Sequence, residues 1–407
     1  MRGKTLVAQL KTLPRLEDFL RKAYATEDGE RMRRCIQCGL CSGICPASPS
    51  MDHTPRAILA WIGAGVLEKV FSSNTSWLCS SCHSCVTYCP HRINMANLIT
   101  HVRGYIVEEG LIPKTLQDAL MSTFRYGNPW GGLQDKRDSW AEGLGVKRLA
   151  DGDEVDVLYF VGCTPSYDLR NQEVAKAAVS VFNAAGVNFG ILGNEERCDG
   201  DSILRIGEIG LFEMLVEENT RNFRKHGVDR IVTTSPHSYN TFKKDYPDLA
   251  EDFQIQHYTE FLLELIENDQ LKFSDGVEAV VAYHDPCFLG RHNEIYEAPR
   301  KILESIPGLT LVELERTREN SFCCGGGGGR MWMEEEREER LCVNRAREVA
   351  SFSPDILVTA CPFCLMNLED GIKVLGKDDE IKVMDMLEVV REATVGSLAS
   401  SGKEAQQ

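Results

Sequence analysis

The spacing of apolar residues changes character along this chain and divides it into regions. LEDFLRKAY (Leu16 to Tyr24) reads as a helix, and apolar residues recur at helical spacing between Ala57 and Phe71, at Ile58, Leu59, Ile62, Val66, Leu67 and Val70. A further helix over Asn97 to Glu109 is expected to close a first, all-helical region, residues 1–109. Residues 110–153 lose this rhythm: RYGNPWGGLQDKRDSWAEGLG is rich in Gly, Pro, Asn and Asp, which predicts a linker or extended wrap packed through Trp130 and Trp140.

From Val155 short apolar runs alternate with helical patterns. VDVLYFVG, VNFGIL, RIVTTS, EAVVAYHD, LTLVEL and DILVTAC read as strands, and Gln172 to Ala185, Ile209 to His226, Ala298 to Ile306 and Glu334 to Ala350 as helices. This order predicts a parallel α/β sheet. The region is also an internal repeat, 154–275 and 276–393, with YFVGC, ERCDGD and VTTSPHSYNTF answered by YHDPC, SFCCGG and VTACPFCLMNL. The same 37 positions separate Cys198 from Ser235 and Cys324 from Cys361, although matching Cys-x-Gly would pair Cys198 with Cys323. The small, polar tail, 394–407, is expected to be disordered.

The 407 residues allow two or three domains, and a net charge of −16 argues against a nucleic-acid partner. The apolar stretch Ala57 to Leu67 is too short to cross a bilayer, so no transmembrane segment is expected. Lys11, Arg15 and Asp18 interrupt any signal-peptide core, which favours a cytoplasmic location. There the sixteen cysteines stay reduced and point to metal.

Two runs, CIQCGLCSGICP (35–46) and CSSCHSCVTYCP (79–90), share the spacing Cys-x2-Cys-x2-Cys-x3-Cys-Pro. That spacing wraps three thiolates around one 4Fe-4S cubane and sends the fourth to a neighbouring cluster. Two cubanes are expected, one on Cys35, Cys38, Cys41 and Cys89, the other on Cys79, Cys82, Cys85 and Cys45. A structural zinc site would leave the third cysteine of each run and the trailing Cys-Pro without a role. The helical connection between the runs fits a helical two-cluster ferredoxin domain better than the compact, strand-bearing bacterial type.

A second set, Cys287, Cys323, Cys324, Cys361 and Cys364, falls at predicted strand ends or in the loops after them, which converge on one crevice of a parallel sheet. Adjacent Cys323 and Cys324 suit a cluster of several irons better than one tetrahedral ion. Gly325 to Gly329 would let backbone approach that cluster and aim N–H groups at its sulfurs, raising its potential. A phosphate-binding loop is the rival reading, but Arg330-Met331-Trp332 stands where such a loop ends in Lys-Ser/Thr. In the first repeat Cys163 and Cys198 remain, whereas Asp199, Ser235 and Ser238 replace the other thiols. Two thiols do not hold a cluster, so this half is expected to be scaffold or partner surface, with Cys163 and Cys198 simply buried. His83, His91, His237 and His284 are expected as hydrogen-bonding neighbours, with His284 the one worth testing.

With YHDPC, FCCGGGGGRMW and TACPFC beside the two cysteine runs, the chain resembles the D subunit of heterodisulfide reductase, itself similar to a fusion of that enzyme's C and B components, and related iron-sulfur oxidoreductases carrying the CCG domain. The resemblance covers roughly residues 30–390. It implies a helical ferredoxin domain with two cubanes, then a CCG domain of two parallel βα halves. The second half would hold a third, non-cubane 4Fe-4S cluster on Cys287, Cys323, Cys324, Cys361 and Cys364. Catalytic members cleave a disulfide between two facing clusters, which the substitutions at Asp199, Ser235 and Ser238 disfavour. With three intact cluster motifs and no separate substrate motif, the leading expectation is a soluble electron-transfer subunit of an anaerobic oxidoreductase complex, similar by analogy to the iron-sulfur subunit of class II benzoyl-CoA reductase complexes. Its partners would be flavin-containing and iron-sulfur subunits, with ferredoxin or electron-transfer flavoprotein as carriers. The alternatives are a catalytic disulfide reductase and, last, a zinc-binding scaffold.

Overall fold

A computed structural model of the chain describes residues 14–25, 27–333 and 340–395. Up to residue 126 the described residues form helices and loops without a strand. The main helices are Pro14–Tyr24, Glu27–Arg33, Pro55–Gly63, Leu67–Phe71 and Met95–Glu108. The apolar stripe expected over 57–71 folds as two helices because Gly65, at φ +70°, turns the chain between them. Its face, with Ile58, Ile62, Leu67 and Val70, packs on Ile99, Val102 and Ile106, and Phe71 stacks on Tyr105 at 4.3 Å.

The stretch read as a linker begins with a helix, Lys114–Tyr126, ended by left-handed Gly127. Its buried stripe, Leu116, Ala119, Leu120 and Thr123, does recur at helical spacing, but the Gly- and Pro-rich stretch that follows from Gly127 dominated the reading of the segment. Beyond it the chain wraps the α/β region: Trp140 is buried in the core, Trp130 meets Trp332 edge-on at 5.0 Å, and Lys147–Arg148 forms an edge strand, β1.

Strands β2 (Val157–Phe160), β3 (Phe189–Ile191), β4 (Arg230–Thr233) and β5 (Gln254–His257) complete one sheet in the order β1-β3-β2-β4-β5. Strands β6 (Ala279–Tyr283), β7 (Leu309–Val312), β8 (Ile356–Thr359) and β9 (Lys382–Asp385) form a second, in the order β7-β6-β8-β9. Every pairing is parallel, and β3-β2-β4-β5 matches β7-β6-β8-β9, so the sequence repeat is two small sheets rather than one. A shared core joins them, with Phe182 and Phe261 of the first half beside Leu357 and Val390 of the second, and Tyr258 donates to Asp385 across the halves at 2.8 Å. The helix expected from Glu334 is described only as Leu341–Phe352, residues 334–339 lying outside the described set, as do residues 396–407 of the tail.

Candidate iron-sulfur site

The two cysteine runs share a backbone device that composition does not reveal. Gln37 and Gly39 in the first run, and Ser81 and His83 at equivalent places in the second, all have positive φ, between 52° and 86°. These left-handed residues on either side of the second cysteine curl each run into a cup. Glycine adopts this backbone freely, whereas a histidine does so only when its surroundings hold it. His83 is held by stacking on His292 at 3.5 Å.

A small cavity is lined by Cys35, Cys38, Cys41 and Cys89, with Cys85 also on its wall. A second is lined by Cys45, Cys79, Cys82 and Cys85. The last cysteine of each run thus stands with the first three of the other. The donor chemistry fits iron-sulfur clusters: four thiols facing one small enclosed space with apolar walls such as Leu59, Ile93 and Met95.

The second run is docked on the second α/β half. Cys82 packs with Cys287, Phe288 and Cys323, and Ser80 Oγ lies 3.4 Å from Cys323 Sγ. Arg291 Nε donates to the Cys82 carbonyl at 2.6 Å, and His292 Nε2 lies 2.8 Å from the Ser81 carbonyl. The five-glycine loop serves this docking as well as the thiols. A Cβ on Gly327 would stand 2.5 Å from the Ser80 carbonyl oxygen, and one on Gly328 2.5 Å from that of Cys79. N–H groups of the loop do reach sulfur, Gly325 N to Cys323 Sγ at 3.3 Å and Gly326 N to Cys324. Arg103, fully buried, ties the pieces together by donating to the carbonyls of Ser76, Cys79, Arg205 and Gly328 at 2.5–2.9 Å. Arg103 and Arg291 were not legible as site residues, because in sequence each is an ordinary helix arginine.

The five downstream cysteines meet as their strand-end positions require. Cys287 follows β6, and Cys361 follows β8 as the N-cap residue of helix Pro362–Val374, which carries Cys364 in its first turn. Cys364 Sγ donates to Cys324 Sγ at 3.2 Å, Cys323 hydrogen-bonds Cys287 and Cys324, and Cys361 hydrogen-bonds Cys364, so all five are linked and buried. His284 approaches this group: its ligand nitrogen lies within 4.8 Å of the Cys324 and Cys364 sulfurs, and Arg345 Nε donates to its Nδ1 at 3.2 Å. Burial opposes ionisation of Cys361, but bonds from Cys364 and His237 outweigh it and bring the thiol down to about 5.

The first half builds the same scaffold with different groups. Ser235 caps helix Pro236–Lys244 as Cys361 caps its counterpart, Ser238 Oγ donates to Asp199 Oδ2 at 2.5 Å, and His237 lies 2.8 Å from Asp201 Oδ2. Cys163 and Cys198 are buried here, with Arg137 beside Cys163. His91 lines the first cysteine cavity.

The sequence matches a 4Fe-4S dicluster domain over residues 31–93 and a cysteine-rich domain twice, over 157–243 and 281–369. Fold and site therefore define an iron-sulfur oxidoreductase in which a dicluster domain precedes a duplicated cysteine-rich domain. The chain belongs to the family of the heterodisulfide reductase D subunit: it is 31% identical to the D subunit of the dihydromethanophenazine:CoB--CoM heterodisulfide reductase of Methanosarcina barkeri, over 88% of this chain and 93% of that protein. It is also 38% identical to "Probable iron-sulfur-binding oxidoreductase FadF" of Bacillus subtilis, over 89% of this chain and 51% of that protein. To "EtfAB:quinone oxidoreductase" of Syntrophomonas wolfei it is 37% identical, over 88% of this chain and 58% of that protein. The chain thus spans little more than half the length of these two relatives. Among solved structures, a hypothetical protein from Helicobacter pylori has the same fold, with a TM-score of 0.53, 12% identity, and 97% of this chain and 76% of that one covered. Among the described residues no helix is long and apolar enough to cross a membrane.

Proposed function

We propose that the chain is the electron-transfer component of a multisubunit oxidoreductase, with three iron-sulfur stations in a row. Cys35, Cys38, Cys41 and Cys89 would hold the first cubane, Cys79, Cys82, Cys85 and Cys45 the second, and Cys287, Cys323, Cys324, Cys361 and Cys364 the CCG-type cluster. When bound, such clusters supply one-electron oxidation and reduction. The protein's part is placement. The contact of Cys82 with Cys287 and Cys323 carries the reading, because it brings a ligand of the second station against two ligands of the third.

The outer end suits a partner. Cys38 is exposed, and Ile36 and Leu40 beside it are 64% and 50% exposed, an apolar rim around a thiol at the surface. A flavin-containing or iron-sulfur subunit is the partner this rim would serve, a reading that the name EtfAB:quinone oxidoreductase for one relative supports. Asp199, Ser235 and Ser238 leave the first half without the thiols for a facing cluster, which favours electron relay over disulfide cleavage.

Anaerobically purified protein should contain about twelve irons per chain, from three four-iron clusters. About eight would remove the third station, and zinc in excess of iron would overturn the whole reading. Cys89→Ser should alter the paramagnetic signal of the cluster on Cys35, Cys38 and Cys41, and Cys45→Ser that of the other cubane. Turnover of small disulfides by the isolated chain would instead favour a catalytic reductase.

A further inference from the structure

The half of the duplicated domain that lost its cluster cysteines keeps two thiols in an unusual setting. Cys163 and Cys198 both line a small cavity at the junction of the halves, walled by Trp130, Trp332 and Phe363. Arg137 is 1% exposed, and its Nη1 and Nη2 lie 3.5 and 3.6 Å from Cys163 Sγ. The same guanidinium is fixed by Glu196, whose Oε1 accepts from Nη2 at 2.6 Å and whose two oxygens also accept from the Val161 and Gly162 backbone N–H groups. A buried cation is thus held rigidly against one sulfur. Cys198 Sγ hydrogen-bonds Cys163 and accepts from Gly200 N at 3.4 Å.

We propose that Cys163 and Cys198 form a peroxide-reactive dithiol, Cys163 attacking as the thiolate and Cys198 resolving the product. A thiolate beside a fixed cation, with a protonated thiol in contact, is the arrangement that such chemistry needs. Burial opposes ionisation of Cys163, but the Cys198 bond and the Arg137 charge outweigh it and bring the thiol below its ordinary range. Cys198 is held well above that range by its bond to Cys163 and by burial.

In the first step Cys163 Sγ attacks the terminal oxygen of a hydroperoxide. The O–O bond breaks, the sulfur is oxidised to a sulfenic acid, and the departing alkoxide or hydroxide takes a proton from water. Cys198 then attacks that sulfur, an S–S bond forms, and the sulfenic oxygen leaves as water with the Cys198 proton. Overall two thiols and one hydroperoxide give one disulfide, one alcohol or water, and one water. No electron from the iron-sulfur stations is required, so the proposal stands independently of the relay.

The test uses the full chain, purified anaerobically with its iron. After a substoichiometric pulse of hydrogen peroxide, peptide mass mapping should find a Cys163–Cys198 cross-link in the wild-type protein. Cys198→Ser should accumulate the sulfenic acid on Cys163, trapped as its dimedone adduct. Arg137→Met should slow limiting iodoacetamide labelling of Cys163 at pH 7 about tenfold, because the guanidinium that favours the reactive thiolate is gone. A wild-type protein with neither cross-link nor Cys163 oxidation would overturn the proposal, as would unchanged Cys163 labelling in folded Arg137→Met.

Discussion

Replacing Gly327 by alanine tests the claim that the glycine run exists to seat the second cysteine loop. The added methyl would stand 2.5 Å from the Ser80 carbonyl oxygen, against an ordinary contact of 3.4–4 Å, and its next neighbours, Phe288 and His237, are already at 3.4 and 3.5 Å. Relief requires the 79–81 loop to lift off. Overpacking of this kind costs about 1–3 kcal/mol. Alanine's lower unfolded-state entropy returns about 0.4–1 kcal/mol where the backbone accepts it. Taken at the middle of each range, about 2 and about 0.7 kcal/mol, the net loss is about 1.3 kcal/mol, falling on the docking of the loop. Hydrogen exchange of the iron-loaded protein, read by mass spectrometry on peptides covering residues 76–85, should therefore accelerate roughly tenfold. Gly63→Ala is the control: a Cβ there meets nothing within 4 Å, and exchange in the same peptides should not change. If Gly327→Ala leaves their exchange within about twofold of wild type, by the free-energy equivalence of rates, the steric argument is wrong.

Arg103→Met should lower the melting temperature sharply. It strips a donor from four buried carbonyls, and orphaned buried groups cost about 1–3 kcal/mol each, so a total loss above about 3 kcal/mol is expected; a loss below about 1 kcal/mol would mean that water replaces the guanidinium. Burial raises Asp385 to about 8 despite bonds from Leu387 N and Tyr258. Because its folded pKa lies above the unfolded value, its contribution is complete below about pH 4 and is lost as pH rises toward 8. Asp385→Asn should flatten this part of the stability profile between pH 5 and 9, and parallel profiles in chemical denaturation would contradict it. His292→Ala removes the ring that stacks on left-handed His83, so, on the proposed assignment, the potential or line shape of the cluster on the second run should change in an electron paramagnetic titration while that of the cluster on the first run stays put.

Much of the site was legible because its signals are local. Cys-x2-Cys-x2-Cys-x3-Cys-Pro needs only spacing to be read, and helix Ile209–His226 falls where its periodicity puts it, capped by Glu208 and Gly227. β5 and β9 went unread because QIQH and KVMD are four residues long and mix polar with apolar, as edge strands do. Other features depend on partners distant in sequence. Nothing near Gly327 says that Ser80 will press on it, and nothing near Arg137 says that it will lie against Cys163. The left-handed backbone of Ser81 and His83 is hidden for a related reason, since neither residue type announces it and the second α/β half supplies the restraint.

The hydrogen bond from Arg103 to the Gly328 carbonyl spans 225 positions. During synthesis both cysteine-rich runs leave the ribosome long before that carbonyl exists, so the inner cup cannot reach its final setting until most of the polypeptide has been made. Cofactor delivery to the second run is therefore expected to finish late, after translation has passed the glycines, whereas the outer cup, which needs only Cys89 from the second run, could be filled once that residue has emerged.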